Sequence, residues 1–209
     1  MRRPPSAGAH PPDDPLAERV VDSRVVYHGH YLQVRVDTIE RRDGTRGTRD
    51  VVGHPGAIAI LALDPEQHLL LVRQWRVAAG RALLEVPAGT IDVHDGVPED
   101  PDRAAPRELE EETGFRAARW RKLAEFWTAP GFATELMHLY LAEDLSAADE
   151  GRLGPDEDEH LELHRLTLDE AVAAVLDGTI ADAKSILAVL WLERLRRSPD
   201  ETIARVAPG

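Results

Sequence analysis

Arg107-Glu108-Leu109-Glu110-Glu111-Glu112-Thr113-Gly114-Phe115 carries four glutamates within five residues, framed by an arginine and a Gly-Phe stop. On a helix, at about 100° per residue, Glu108, Glu111 and Glu112 share one face through i,i+3 and i,i+4 spacing, and Glu110 points elsewhere. Leu109 and Ala105 lie together on another face, which can pack on a sheet. Like charges one turn apart repel, so three stacked carboxylates are unfavourable unless a cation compensates them. Hard divalent ions take oxygen ligands, which makes Mg²⁺, with Mn²⁺ as a substitute, the natural compensator. Arg107 stands four residues before Glu111 and can hold that carboxylate in place. The helix carries its own punctuation: Asp100 as N-cap, Pro101 at the first helical position and Gly114 as the stop. An isolated glutamate run is ordinarily a solvated helix face. Gly89, following a strand, and the sharp halt at Gly114-Phe115 turn this one toward a site.

Working outward, the text upstream of this helix reads as strands. A Val-rich stretch reaches Tyr27, Tyr31 to Val36 and Ile39 to Arg42 follow, and an Arg42-Asp43-Gly44-Thr45 turn leads into Thr48 to Val52. So few short strands cannot bury both faces of a sheet, so this segment must dock on the main body or on a second subunit. The apolar runs Gly56–Leu63 and His68–Trp75 flank Asp64-Pro65-Glu66 and read as a buried hairpin. Leu83 to Val86 is a short strand ending at Pro87-Ala88-Gly89. Downstream, strands are expected at 119–127 and 136–142, then an acidic loop, and then the alternating segment His160–Leu166. Thr167-Leu168-Asp169-Glu170 is a capping box opening a helix that ends at Gly178. A last helix spans about Asp182 to Arg197, with Ile186, Leu187, Leu190 and Leu195 toward the core. The fold class is α/β: a mixed sheet with helices on both faces and a small amino-terminal antiparallel sheet.

Composition bounds the rest. The 209 residues are enough for one ordinary domain with a small appendage. The absence of cysteine excludes disulfides, thiol catalysis and zinc–thiolate sites. A formal net charge of -13 weighs against nucleic acid as a partner, since phosphate backbones demand a basic face. No run approaches the ~18 apolar residues that span a bilayer. The first fifteen residues hold five prolines and lack the apolar core of a signal peptide, so the chain is expected to be cytoplasmic with no membrane contact. The expected division is a tail at 1–17, the amino-terminal sheet at 18–53, a catalytic domain at 54–198 and a second tail at 199–209. His28/His30 and His160/His164 sit in strand text, where i,i+4 spacing does not converge on a metal, and they are assigned no function.

With these residues in view, Gly89, Glu99 and the 107–115 stretch resemble the Nudix box of the Nudix hydrolases. In that pattern a glycine, five residues, a glutamate and seven residues lead into Arg-Glu-apolar-x-Glu-Glu-x-Gly-apolar. The second half matches at every fixed position. The first half departs from it, because nine residues separate Gly89 from Glu99, as though four around Val93–Gly96 were inserted. From about residue 20 to 195 the chain is similar to the ADP-ribose pyrophosphatase branch. The phrases that carry this are His54-Pro55-Gly56, Val72-Arg73-Gln74-Trp75-Arg76, Leu84-Glu85-Val86-Pro87-Ala88-Gly89 and Thr128-Ala129-Pro130-Gly131-Phe132. Pro130, sixteen residues after Gly114, matches that branch's marker for ADP-ribose.

The resemblance implies a Nudix-type α/β/α sandwich and a homodimer. It implies that the Ala88 carbonyl, Glu108 and Glu112 hold Mg²⁺ with Glu111 assisting, and that Arg107 orients the cluster. A further glutamate acts as base or extra ligand from the Asp156-Glu157-Asp158-Glu159-His160 loop, where Glu157 and Glu159 are the candidates. Arg73 and Arg76 are candidates for phosphate or ribose. Tyr31 is either an adenine-stacking residue or, with more weight, a core aromatic, and Glu85 is either a ribose contact or structural. The implied reaction is Mg²⁺-dependent hydrolysis of ADP-ribose to AMP and ribose 5-phosphate. Alternatives are another nucleoside diphosphate such as GDP-mannose, NADH or a diadenosine polyphosphate, or a non-catalytic nucleotide-binding module. The acidic balance then has a use, since two of its clusters would hold cations that meet an anionic substrate.

Overall fold

The computed structural model describes residues 14–148 and 160–197. The chain divides into two compact units, Met1–His54 with Ala129–Thr134, and Pro55–Thr128 with Glu135–Gly209. Most of the two expected tails and the whole 156–159 stretch lie outside the described residues. Residues 14–17, expected in the tail, form a turn in which Ala17 N–H donates to Asp14 O at 3.1 Å and Leu16 N–H to Asp14 Oδ1 at 2.8 Å.

The first unit is an antiparallel sheet of β1 (Arg19–His28), β2 (Gln33–Glu40) and β3 (Arg46–Gly53) in that order. The two strands expected between Tyr31 and Arg42 are one. Asp37, in the gap between the two expected strands, is buried, and its carboxylate accepts from Ser23 Oγ at 2.6 Å and from Arg35 Nε at 2.9 Å. A satisfied carboxylate can stay inside the ladder. The segment 129–134, expected within the catalytic domain, belongs to this unit. Val52 N–H donates to Phe132 O at 2.7 Å, and Thr134 N–H donates to Val52 O at 2.9 Å.

In the second unit, β4 (Ala57–Leu63) is buried at every residue and forms the centre of a mixed sheet. Its parallel neighbour is β11 (Leu136–Ala147), and β11 pairs antiparallel with the edge strand β10 (Phe115–Trp127). On the other side lie β5 (Leu69–Arg76), β6 (Arg81–Glu85), β7 (Ala88–Thr90) and β12 (Glu162–Leu166). The expected β4–β5 hairpin is short, with only Ala62↔Leu70 and Leu63↔Leu69 in register. The two strands then diverge, because β7 takes the inner edge of β4 at Ala57–Ala59 and β6 takes the inner edge of β5 from Val72 onward.

Period-two alternation along β4 feeds two cores. Ile58, Ile60 and Ala62 pack with Ala104, Ala105 and Leu109 of α1 (Pro101–Thr113). Ala57, Ala59, Leu61 and Leu63 pack on the other face with α2 (Leu168–Leu176) and α3 (Ala183–Arg197). This is the expected α/β/α sandwich. The capping box of α2 is present in both directions. In α3 the fully buried positions are Ser185, Ala188, Val189 and Leu192, whereas Leu190, expected in the core, is 40% exposed. Ile186, Leu187 and Leu195 reach the core only at its margin. No described helix is long and apolar enough to cross a membrane.

Candidate active site

The carboxylate helix forms where its punctuation places it. Asp100 accepts from Asp102 N–H at 3.0 Å, Pro101 opens the first turn, and Gly114 closes the helix at φ 72°. Leu109 and Ala105 are fully buried against the sheet, which aims the opposite face toward the β6–β7 junction. Glu110, expected to point away, forms a two-pronged pair with Arg116 at 2.7 Å for both bonds.

The main chain of β7 lies directly against this face. Ala88 N–H donates to Glu112 Oε2 at 3.0 Å. A Cβ built on Gly89 would stand 2.0 Å from Glu108 Cδ and 2.2 and 2.4 Å from its two oxygens. The glycine is required here by close approach rather than by a turn. Ala88, Glu108, Glu111 and Glu112 thus come together on one small surface.

Arg107 is the cation of the cluster. Its Nη1 lies 2.8 Å from Glu111 and 2.9 Å from Glu108, and its Nη2 lies 3.0 Å from Glu99 and 3.4 Å from Asp92. Burial works against the guanidinium charge, but the bond to Glu99 and the charges of Glu108 and Glu111 outweigh it and raise its pKa further. The apparent insertion upstream proves to be a two-stranded hairpin, β8 (Val93–His94) and β9 (Val97–Pro98). Asp95 and Gly96 turn it with φ of 52° and 78°, the left-handed backbone that tight hairpins need. Glu99 N–H donates to Asp92 O at 2.7 Å at its base, so the extra residues project outward and Glu99 returns to Arg107.

One guanidinium therefore stands among Asp92, Glu99, Glu108 and Glu111, with Glu112 alongside. An all-oxygen donor set in anionic excess, brought into contact by a glycine, fits a hard divalent cation. A separate acidic group, Asp64, Glu66 and His68 at the β4–β5 turn, was not singled out from the sequence. Asp64 serves that turn directly: its Oδ1 accepts His68 N–H at 2.8 Å, and Arg165 lies 3.7 Å from its Oδ2.

The other predicted site residues have distinct surroundings. Arg73 pairs with the exposed Glu162 at 2.8 Å. Arg76 directs Nε and Nη2 at Glu85, at 2.9 and 2.7 Å. Glu85 is 1% exposed and also accepts from Lys184 Nζ. Burial pushes the Glu85 carboxyl upward, but the bonds from Arg76 and the Lys184 charge more than offset this and hold it below its ordinary value. Lys184 was missed as a partner of Glu85, as were Asp182, which accepts from Lys184, and Ser185, which accepts from Val86 N–H. Nothing local in the sequence links positions about a hundred residues apart.

Tyr31 and Pro130 belong to the first unit. The core-aromatic reading of Tyr31 does not hold: the ring is 57% exposed and stands edge-on to His54, with centroids 5.6 Å apart. Pro130 sits in the turn closed by Ala133 N–H donating to Ala129 O at 2.9 Å. Glu157 and Glu159 lie outside the described residues.

Comparison with known proteins agrees with this geometry. Residues 53–189 match the NUDIX domain, and residues 18–52 match the nucleoside diphosphate sugar hydrolase N-terminal domain. The chain belongs to the Nudix family. Within that family it is a pyrophosphohydrolase. It is 37% identical over 178 residues to the ADP-ribose pyrophosphatase of Bacillus subtilis (strain 168), covering 85% of this chain and 94% of that one. It is 38% identical over 176 residues to the methanol dehydrogenase activator of Bacillus methanolicus, covering 84% and 92%. It is 36% identical over 166 residues to the GDP-mannose pyrophosphatase of Cronobacter sakazakii, covering 74% and 83%. A crystal structure of an ADP compounds hydrolase superposes with a TM-score of 0.74 at 24% identity, covering 88% of this chain and 96% of that one, and shows the shared fold.

Proposed function

We propose that the enzyme hydrolyses the pyrophosphate bond of ADP-ribose to AMP and ribose 5-phosphate, using Mg²⁺. The observation that carries this is the Gly89–Glu108 contact beside the Ala88–Glu112 hydrogen bond, which sets main chain and carboxylates on one small surface. The similarity to ADP-ribose pyrophosphatases over most of the chain supports the substrate.

The Ala88 carbonyl with Glu108, Glu111 and Glu112 would hold the cation, with Glu159 as a further ligand. When bound, a divalent ion neutralises phosphate oxygens and makes a coordinated water more acidic. The protein's own part is to keep the acceptors in place. Ala88 N–H holds Glu112, and Arg107 holds Glu111 together with Glu99. The flanking like charges are thereby spared from splaying before a cation arrives. Glu157, or in its place Glu159, takes the proton of the attacking water.

Arg73 is the readier phosphate ligand. Its ion pair with Glu162 is exposed and weakened by solvent, so a phosphate competes for the guanidinium easily. Arg76 is held by Glu85 and offers a pre-oriented cation, so Glu85 serves substrate binding through Arg76. Tyr31, exposed on the first unit, is the candidate for adenine stacking, and Pro130 shapes the turn beside β3. The amino-terminal sheet serves a homodimer.

Product analysis by ³¹P NMR tests the proposal. AMP and ribose 5-phosphate should accumulate from ADP-ribose with Mg²⁺, and Glu112→Gln should lose at least about a hundredfold in turnover. Full Mg²⁺-dependent turnover in Glu112→Gln would sink the metal assignment. A second reading, GDP-mannose as substrate, rests on the GDP-mannose pyrophosphatases among the relatives.

A further inference from the structure

The segment 85–89, which presents Ala88 and Gly89 to the carboxylate helix, is held from two sides. Its sheet-side and helix-side anchors are Pro87 O accepting from Ile60 N–H at 2.9 Å and Ala88 N–H donating to Glu112 at 3.0 Å. Arg76 and the ladders to β5 and β4 hold it as well, and a further set of anchors comes from the first turn of α3. Val86 N–H donates to Ser185 Oγ at 2.9 Å, and Lys184 Nζ donates to Glu85. Asp182 fixes both residues of that turn, accepting from Lys184 Nζ at 2.9 Å and from Ser185 N–H at 3.1 Å.

Lys184 is one of only two lysines in the chain, and its side chain is 13% exposed beside the buried Glu85. Glu85 is almost wholly buried, and Ser185 is completely so. Buried charges are costly to desolvate, and a well-packed apolar substitute often gives equal or greater stability. What charged and hydroxyl groups supply here is direction. The ammonium can sit on Glu85 only while α3 keeps its register, and the hydroxyl fixes the height of the Val86 amide. Three residues further along, Gly89 meets Glu108 with no space to spare. A shift of the 85–89 main chain by a fraction of an ångström therefore alters how the carbonyl of Ala88 stands relative to Glu108 and Glu112.

We propose that Lys184 and Ser185 are positioning residues for the cation-binding face. They touch neither substrate nor cation but set the main chain of 86–89 against the glutamates of α1. This rests on the metal reading given above, and the test separates the two. Free Mn²⁺ is counted by electron paramagnetic resonance in titrations of the full chain, alongside kcat, KM for ADP-ribose and Tm. If the wild-type chain binds no Mn²⁺ tighter than millimolar, the metal reading fails first.

If it binds, Lys184→Met should weaken Mn²⁺ binding by about tenfold or more, the scale seen when outer-shell partners of a metal are removed. Its kcat should fall with KM for ADP-ribose within about twofold, and Lys184→Arg should recover most of the affinity. Ser185→Ala, which removes one hydrogen bond and leaves the charges intact, should move Mn²⁺ affinity in the same direction and keeps the test decisive if Lys184→Met does not fold. Unchanged Mn²⁺ affinity in the folded variants, with a lowered Tm alone, would show a purely structural network and overturn the proposal.

Discussion

Gly89→Ala separates folding from chemistry at a single atom. The added methyl would begin 2.0 Å from Glu108 Cδ, and ordinary contact starts near 3.4 Å, so the carboxyl group must retreat by about 1.4 Å. The group that moves is the end of a flexible side chain, so the cost to folding should be small, about 1 kcal/mol, roughly that of one off-rotamer side chain. The cost to function should be large. A displacement of about 1 Å in a catalytic constellation is worth about a hundredfold in rate, near 2.7 kcal/mol. The assay is steady-state hydrolysis of ADP-ribose over a Mg²⁺ titration, with Tm measured on the same preparations. The expected outcome is a folded variant with kcat down about a hundredfold and a higher Mg²⁺ requirement. Full activity at the wild-type Mg²⁺ midpoint would refute the claim that Glu108 and the Gly89 backbone form one site.

Leu109→Ala opens a void between α1 and Ile58 and Ile60, and urea unfolding should report a loss of about 3 kcal/mol, as for other buried leucines. His138 is buried and lies near Lys122. Both effects lower its pKa below the ordinary 6.5 despite Glu125, so the fold favours the neutral ring. Its contribution to stability is therefore complete above pH 6.5 and is lost as pH falls through the lower folded value. His138→Gln should flatten the urea-derived stability profile on the acid side of about pH 6.5, and an unchanged slope would contradict this. Removing residues 94–97 should leave kcat/KM for ADP-ribose within about threefold, because the hairpin projects from a base already closed by Glu99 and Asp92. A larger loss would give the hairpin a role in substrate binding.

Much of the fold was legible because its signals are local. Asp100, Pro101 and Gly114 mark both ends of α1, and the 3.6-residue period separates Leu109 from Glu108, Glu111 and Glu112. The two faces of β4 also follow from simple alternation. Local signals failed where a distant partner decides. The text between Val36 and Ile39 reads as a gap, yet Ser23 and Arg35 satisfy the buried Asp37 there and the strand runs through. Leu190 reads as core until Ser185, Ala188 and Val189 are seen to form the close seam. The β4–β5 hairpin reads as complete until β6 and β7 take over its inner edges.

The site shows the same division. The carboxylate face and its Arg107 clamp lie within a few residues of one another and were readable. The insertion before Glu99 could be counted, but only the structure shows that its Asp95-Gly96 turn returns Glu99 to Arg107. Arg76 and Glu85 were named as separate candidates, and they form one two-pronged pair backed by Lys184. No periodicity connects β6 to the start of α3, so that link required coordinates.

The most direct test of the proposed activity is kcat/KM measured with Mg²⁺ across ADP-ribose, GDP-mannose, NADH and a diadenosine polyphosphate. ADP-ribose should lead the panel by at least about tenfold, with AMP and ribose 5-phosphate in equal amounts. A panel led by GDP-mannose, or one in which every nucleotide survives with Mg²⁺ and with Mn²⁺, would contradict it.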